Sequence, residues 1–150
     1  MDPDLAQLTF LLPVLALVLW TSVMWFWLYI TRVPAMQKAR IHPQTARHPD
    51  SGWKDKLPAT ARGVADNYNH LHEQPVLFYA VMAFAALTGG GDTIALGLAW
   101  AYVALRVVHS FIQAVVGTVM LRFNVFALAS LVLTALVLKE VVRAFLSLSG

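Results

Sequence analysis

Arg62–Tyr79 reads RGVADNYNHLHEQPVLFY, and the reading of this stretch decides the fold. It passes from a charged region straight into an apolar one. The uncharged run that follows, Val76 to Thr88, holds 13 residues, about 20 Å of helix at a rise of about 1.5 Å per residue. A hydrocarbon core is about 30 Å thick, so a helix here spans only by drawing in roughly seven preceding residues. Those residues include Asn69, His70, His72, Glu73 and Gln74. Polar groups at that depth are expensive and face a bundle interior or a cavity, which makes this stretch the first place to look for function.

The rest of the chain gives the stretch its setting. Of 150 residues, 59% are hydrophobic and only 13% charged. A soluble domain of this size has too little interior for that much apolar surface, so the class is integral membrane protein. The chain reads as one membrane domain over 1–150. The acidic start MDPDLAQ and the lack of a small-residue cleavage site read as a retained helix rather than a signal peptide. Cysteine is absent, which excludes disulfides, thiolate metal sites and a cysteine nucleophile; any thiol chemistry must use a thiol that arrives with a substrate. Eleven basic residues stand against eight acidic ones. In a membrane protein that excess marks the cytoplasmic side rather than a nucleic-acid partner.

Four apolar segments follow, near 8–32, 62–88, 93–117 and 124–146, with a loop over 33–61. Phe10 to Ile30 is free of charge and long enough to span once. Together with the flanking Arg32 and Arg62 the loop carries seven of the eleven basic residues, with Asp50 and Asp55 as its acids, and its four prolines at 34, 43, 49 and 58 rule out one long helix. Gly89, Gly90 and Gly91 make a tight turn, and Asp92 is placed to cap the next helix. Asn124 is read as the cap of the fourth helix, whose Lys139 and Arg143 can snorkel. The predicted fold is an all-α four-transmembrane-helix bundle. Loop charge puts 33–61 and Arg122 in the cytoplasm and both termini, with Asp2 and Asp4, on the other side.

Arg106 is the most informative residue outside the opening stretch. An Arg at a helix centre costs about 2.5–3.5 kcal/mol on insertion scales and needs a partner. Counted from the glycine turn, Arg106 lies about 20 Å deep on one helix and Glu73 about 22 Å deep on its antiparallel neighbour. A direct or water-bridged Arg106–Glu73 pair inside the membrane is therefore expected, with His70 and His109 slightly deeper. Asp66, Asn69, His70 and Glu73 share one helix stripe, and Tyr102, Arg106, His109 and Gln113 share another. The plain alternative is an ion pair that fixes helix packing. A metal site on His70, Glu73 and His109 is not expected: His72 points about 200° away from His70, and Arg106 is adjacent.

These residues resemble the MAPEG family, the membrane-associated proteins in eicosanoid and glutathione metabolism; the chain is similar to a divergent, bacterial-type member. The acid of the family's second-helix motif is matched by Glu73, the Asn position falls on His70 with Asn69 beside it, and the Arg position falls on Asp66. On the third helix Arg106, His109 and Arg122 match, and the Tyr position is Gln113. The resemblance implies a four-helix fold, a homotrimer, and glutathione held in a cleft between subunits. It further implies that Arg122 stabilises the thiolate, while Glu73, His70, Asn69, Arg106, His109 and Gln113 bind the ligand. The activity implied is a glutathione- or thiol-dependent transferase or peroxidase acting on lipophilic substrates. The other reading is a non-catalytic lipid-binding protein or an accessory subunit of a membrane complex.

Overall fold

Phe10, Leu17 and Met24 stand seven residues apart on one face of the first helix, and all three are buried. The periodicity carries on through the chain: Phe78, Met82 and Ala85, then Ala95, Ala99 and Tyr102, then Ala129, Leu133 and Leu136, meet them in one core. The outward faces stay apolar, from Leu5 to Leu148, as lipid contact requires. Small residues at the buried positions let the helices approach closely, which matters where lipid is as apolar as the core.

The structure is a computed structural model that describes residues 3–48 and 51–149; Asp2, Pro49 and Asp50 of the sequence reading lie outside them. Helix α1 runs Pro3–Lys38, followed by 3₁₀ turns at Pro43–Arg47 and Trp53–Lys56. Then come α2 at Ala59–His70, α3 at Pro75–Leu87 and α4 at Thr93–Phe111. A π-turn over Ile112–Val116 leads to α5, Val119–Ser149. No strand occurs among the described residues. Three stretches, Asp4–Lys38, Thr93–Val116 and Val119–Ser149, are long and apolar enough to cross a membrane. The fourth helical segment is the broken pair α2–α3.

Several boundaries differ from the sequence reading, each for a local reason. Pro34 lies inside α1, which continues to Lys38 and shortens the loop. The predicted 62–88 helix is broken over 71–74. Pro75 has no N–H to give the Leu71 carbonyl and its ring crowds that position, so the helix stops one turn earlier. Asn124 is not a cap: Gly117, at φ 74°, ends the π-turn, and α5 begins at once, with the Arg122 amide bonded to the Thr118 carbonyl. Asp92 does cap α4, its Oδ1 accepting from the Ala95 amide at 2.8 Å. That amide bond, and behind it the Lys139 ammonium, hold the Asp92 carboxyl below the usual carboxylate range.

Both ends of the bundle are tied down. In the loop, Trp53 and Leu57 are buried against Ala35 and Ala61, and the Arg32 guanidinium lies 4.9 Å from the Trp53 ring centre. At the glycine-turn end, Glu140 is buried and accepts from Lys139 Nζ and Arg143 Nε, both at 2.8 Å. Lys139 also pairs with Asp92 at 2.9 Å, and Arg143 bonds the Thr88 carbonyl. Gly90 leaves room for this cluster: a Cβ would sit 2.7 Å from Arg143 Nε and closer still to Glu140 Oε2, and these side-chain ends would have to shift. The two basic residues read as snorkelling thus clamp α5 to the turn.

Candidate functional site

The helix break after His70 builds the site. With Pro75 unable to donate, residues 71–74 close through shorter contacts, such as the His72 amide on the Asn69 carbonyl at 2.9 Å. The His70 carbonyl keeps only a long bond from the Glu73 amide at 3.4 Å, and the Arg106 guanidinium donates to it at 2.9 Å. The break also turns Glu73 outward, where its carboxylate meets His70 Nδ1 at 2.7 Å and stays 65% exposed. The expected direct Arg106–Glu73 pair is therefore not formed. His70 links the two instead, its main chain to Arg106 and its ring to Glu73.

Arg106 is fully buried, and its Nε and second amino group have no partner among the described residues. Its guanidinium carbon lies 5.9 Å from the Phe126 ring centre. His109 is buried beside it, bonded through Nε2 to Gln113 Oε1 at 3.0 Å. The rings of His70, His109 and Phe126 are mutual neighbours at 5.0–5.8 Å.

Over these rings opens a cleft of about 470 Å³, at the end of the bundle opposite the glycine turn. Three pieces of chain meet there: the last turn of α2 with the break, the π-turn, and the first turns of α5. Of the predicted residues, Asn69, His70, Glu73, His109, Gln113 and Arg122 line it, and so does Asp66. Arg106 does not; it lies behind the His70 main chain. Phe123 and Phe126 line the cleft too and were missed, although Phe126 follows Arg122 by four residues and so shares its face. Close packing fixes the geometry. Gly63 lets α2 ride against the π-turn, where a Cβ would sit 2.7 Å from the Gln113 carbonyl. A π-turn widens the helix by one residue and commonly marks a functional site.

The charges of the cleft are largely uncommitted. Arg122 is half-buried, and its guanidinium has no hydrogen-bond or ion-pair partner among the described residues. Asp66 likewise has none. No group of three or more metal-type side chains occurs among the described residues. The volume suits a small molecule. The arrangement offers one free cation beside an aromatic floor, amide and imidazole groups for hydrogen bonding, and two carboxylates at the rim.

The sequence profile of the MAPEG family matches residues 10–142. The chain belongs to the MAPEG family. The match takes in α4, most of α1 and α5, the α2–α3 break and every residue of the cleft. This MAPEG chain matches no curated protein and no solved structure.

Proposed function

We propose that the cleft binds a thiol of the glutathione class and activates it for attack on a lipophilic molecule drawn from the bilayer. The observation that carries this reading is Arg122, an unpaired guanidinium facing a polar cleft in a family concerned with glutathione. Glutathione would supply the nucleophilic sulfur. A thiol of pKa about 8.5 is mostly protonated at neutral pH, and a cation beside it raises the thiolate fraction. Arg122 holds that negative charge but cannot accept the proton, since a guanidinium stays protonated; water takes it. Asn69, His70, Gln113 and His109 orient the ligand by hydrogen bonds. Arg106, behind the wall, adds positive potential with two donors still unused.

In this reading the active form is a homotrimer whose neighbouring chains complete the cleft. Gly97 supports it: its face of α4 touches nothing within the chain, since a Cβ there meets no atom within 4 Å, and such small-residue faces let helices meet closely. Loop 33–61 and the cleft face the cytoplasm, where glutathione-type thiols are abundant. The test is a conjugation assay with glutathione and a lipophilic electrophile. Wild type should turn over and Arg122→Leu should not, with assembly unchanged. Wild type without turnover on a panel of electrophiles and hydroperoxides would overturn the enzymatic reading.

A non-catalytic lipid-binding role is the second reading, and one observation favours it. Between α3 and α5 lies an apolar groove of about 330 Å³, lined by Val81, Phe84, Val137 and Phe145 among others. It lies on the glycine-turn half of the bundle, away from Arg122.

A further inference from the structure

Two histidines line the cleft, and their surroundings give them different chemistry. His109 is buried, its Nε2 donates to the Gln113 Oε1, and its Nδ1 is enclosed without a partner. No carboxylate bonds it among the described residues. His70 stands part-exposed at the wall, with Nδ1 2.7 Å from Glu73 Oε2. An ionised carboxylate only accepts, so Nδ1 carries the hydrogen and Nε2 of the neutral ring carries the lone pair. Nε2 has no partner among the described residues. The backbone holds the pair in place: Arg106 donates to the His70 carbonyl, and the break before Pro75 sets Glu73 beside the ring. A carboxylate that fixes the tautomer of an imidazole is the arrangement that makes histidine an effective proton acceptor.

We infer that His70 is the group on which the thiol proton comes to rest, passed on by the water that first takes it, and that Glu73 is its positioning residue. The inference rests on the thiol reading above and adds where the proton is kept. The S–H bond breaks with its electron pair left on sulfur; the proton goes to the water, and a proton of that water goes to His70 Nε2, giving an imidazolium. The sulfur pair then forms the bond to carbon, the bond from carbon to the leaving group breaks, and the leaving anion takes the proton back from Nε2. Transfer through one water is within the reach of a general base. The charged and titratable groups around His70 are Glu73 and Asp66 beside it, His109 on α4, Arg122 on α5, and Arg106 behind its carbonyl. The two carboxylates favour the imidazolium and the two guanidinium groups oppose it; the thiolate formed in the same step adds the anion that tips the balance.

The experiment counts the protons released when glutathione binds the full chain in detergent. Calorimetry in buffers of different ionisation enthalpy, at about pH 7.5 where an ordinary histidine is mostly neutral, gives the count. His70→Ala should release about one proton per thiol bound and wild type far less, because the ring keeps it. S-methylglutathione, which has no thiol proton, supplies the blank. Turnover of His70→Ala at neutral pH should fall about a hundredfold and recover in part with added imidazole. Glu73→Gln keeps the ring but not its anion, and should lie between wild type and His70→Ala in both readouts. Equal proton release by wild type and His70→Ala, or turnover unchanged in both variants, would overturn the inference and leave the thiol reading standing. Wild type that neither binds glutathione nor turns over an electrophile overturns the thiol reading, and this inference with it.

Discussion

At the scale of single residues, four buried side chains among the described residues carry unmet hydrogen-bonding atoms: Trp53, Asn67, Arg106 and His109. Two of them back the cleft. Asn67 has no such neighbour role, and both atoms of its amide are buried without a partner. Leaving a buried polar group unsatisfied costs about 1–3 kcal/mol. Asn67→Leu should therefore raise the thermal midpoint in detergent, read by intrinsic fluorescence; a lower midpoint would mean that the amide is satisfied in the assembled protein. Residue types and their helical spacing made most of the cleft legible, since Asn69, His70, Glu73, His109 and Gln113 fall on two stripes and do meet. The direct Arg106–Glu73 pair was misread because depth counting assumes an unbroken helix. Pro75, four residues after Leu71, was the signal against that assumption, and it moved Glu73 to the surface.

At the scale of elements, two contacts decide whether the helices hold their places. Gly63 seats α2 on the π-turn, so Gly63→Ala should push the elements apart and cost about 1–3 kcal/mol, the range for overpacking a tight contact. Thiol binding should fall with it, because Gln113 belongs to the displaced backbone. At the other end, Glu140 is the shared anion of Lys139 and Arg143. Glu140→Gln keeps the shape but leaves Arg143 without its anion and Lys139 with Asp92 alone, and breaking such a pair costs about 3 kcal/mol or more. Lys139→Gln should cost less, since Arg143 still answers Glu140; thermal midpoints of the two variants give the comparison. This clamp was not legible in sequence. Lys139 and Arg143 near a helix end fit snorkelling equally well, and only the packing of α5 against the glycine turn shows where they point.

At the scale of the whole molecule, the apolar segments and the charge asymmetry carried the fold, because lipid imposes length and composition more strictly than water does. The expected orientation rests on the same asymmetry. The native chain has no cysteine, so single cysteines report cleanly on sidedness. A cysteine at Lys54 should label from the cytoplasmic side and one at Gly91 from the opposite side; the reverse pattern would place the cleft away from cytoplasmic thiols. The central claim is that Arg122 makes a bound thiol ionise. Its most direct measurement is a thiolate ultraviolet absorbance titration of glutathione bound to wild type and to Arg122→Leu. Wild type should show the thiolate band at neutral pH, with an apparent pKa well below the free value of about 8.5, and Arg122→Leu should return it to that value. A bound thiol that titrates alike in both proteins, or as it does in water, would contradict the account.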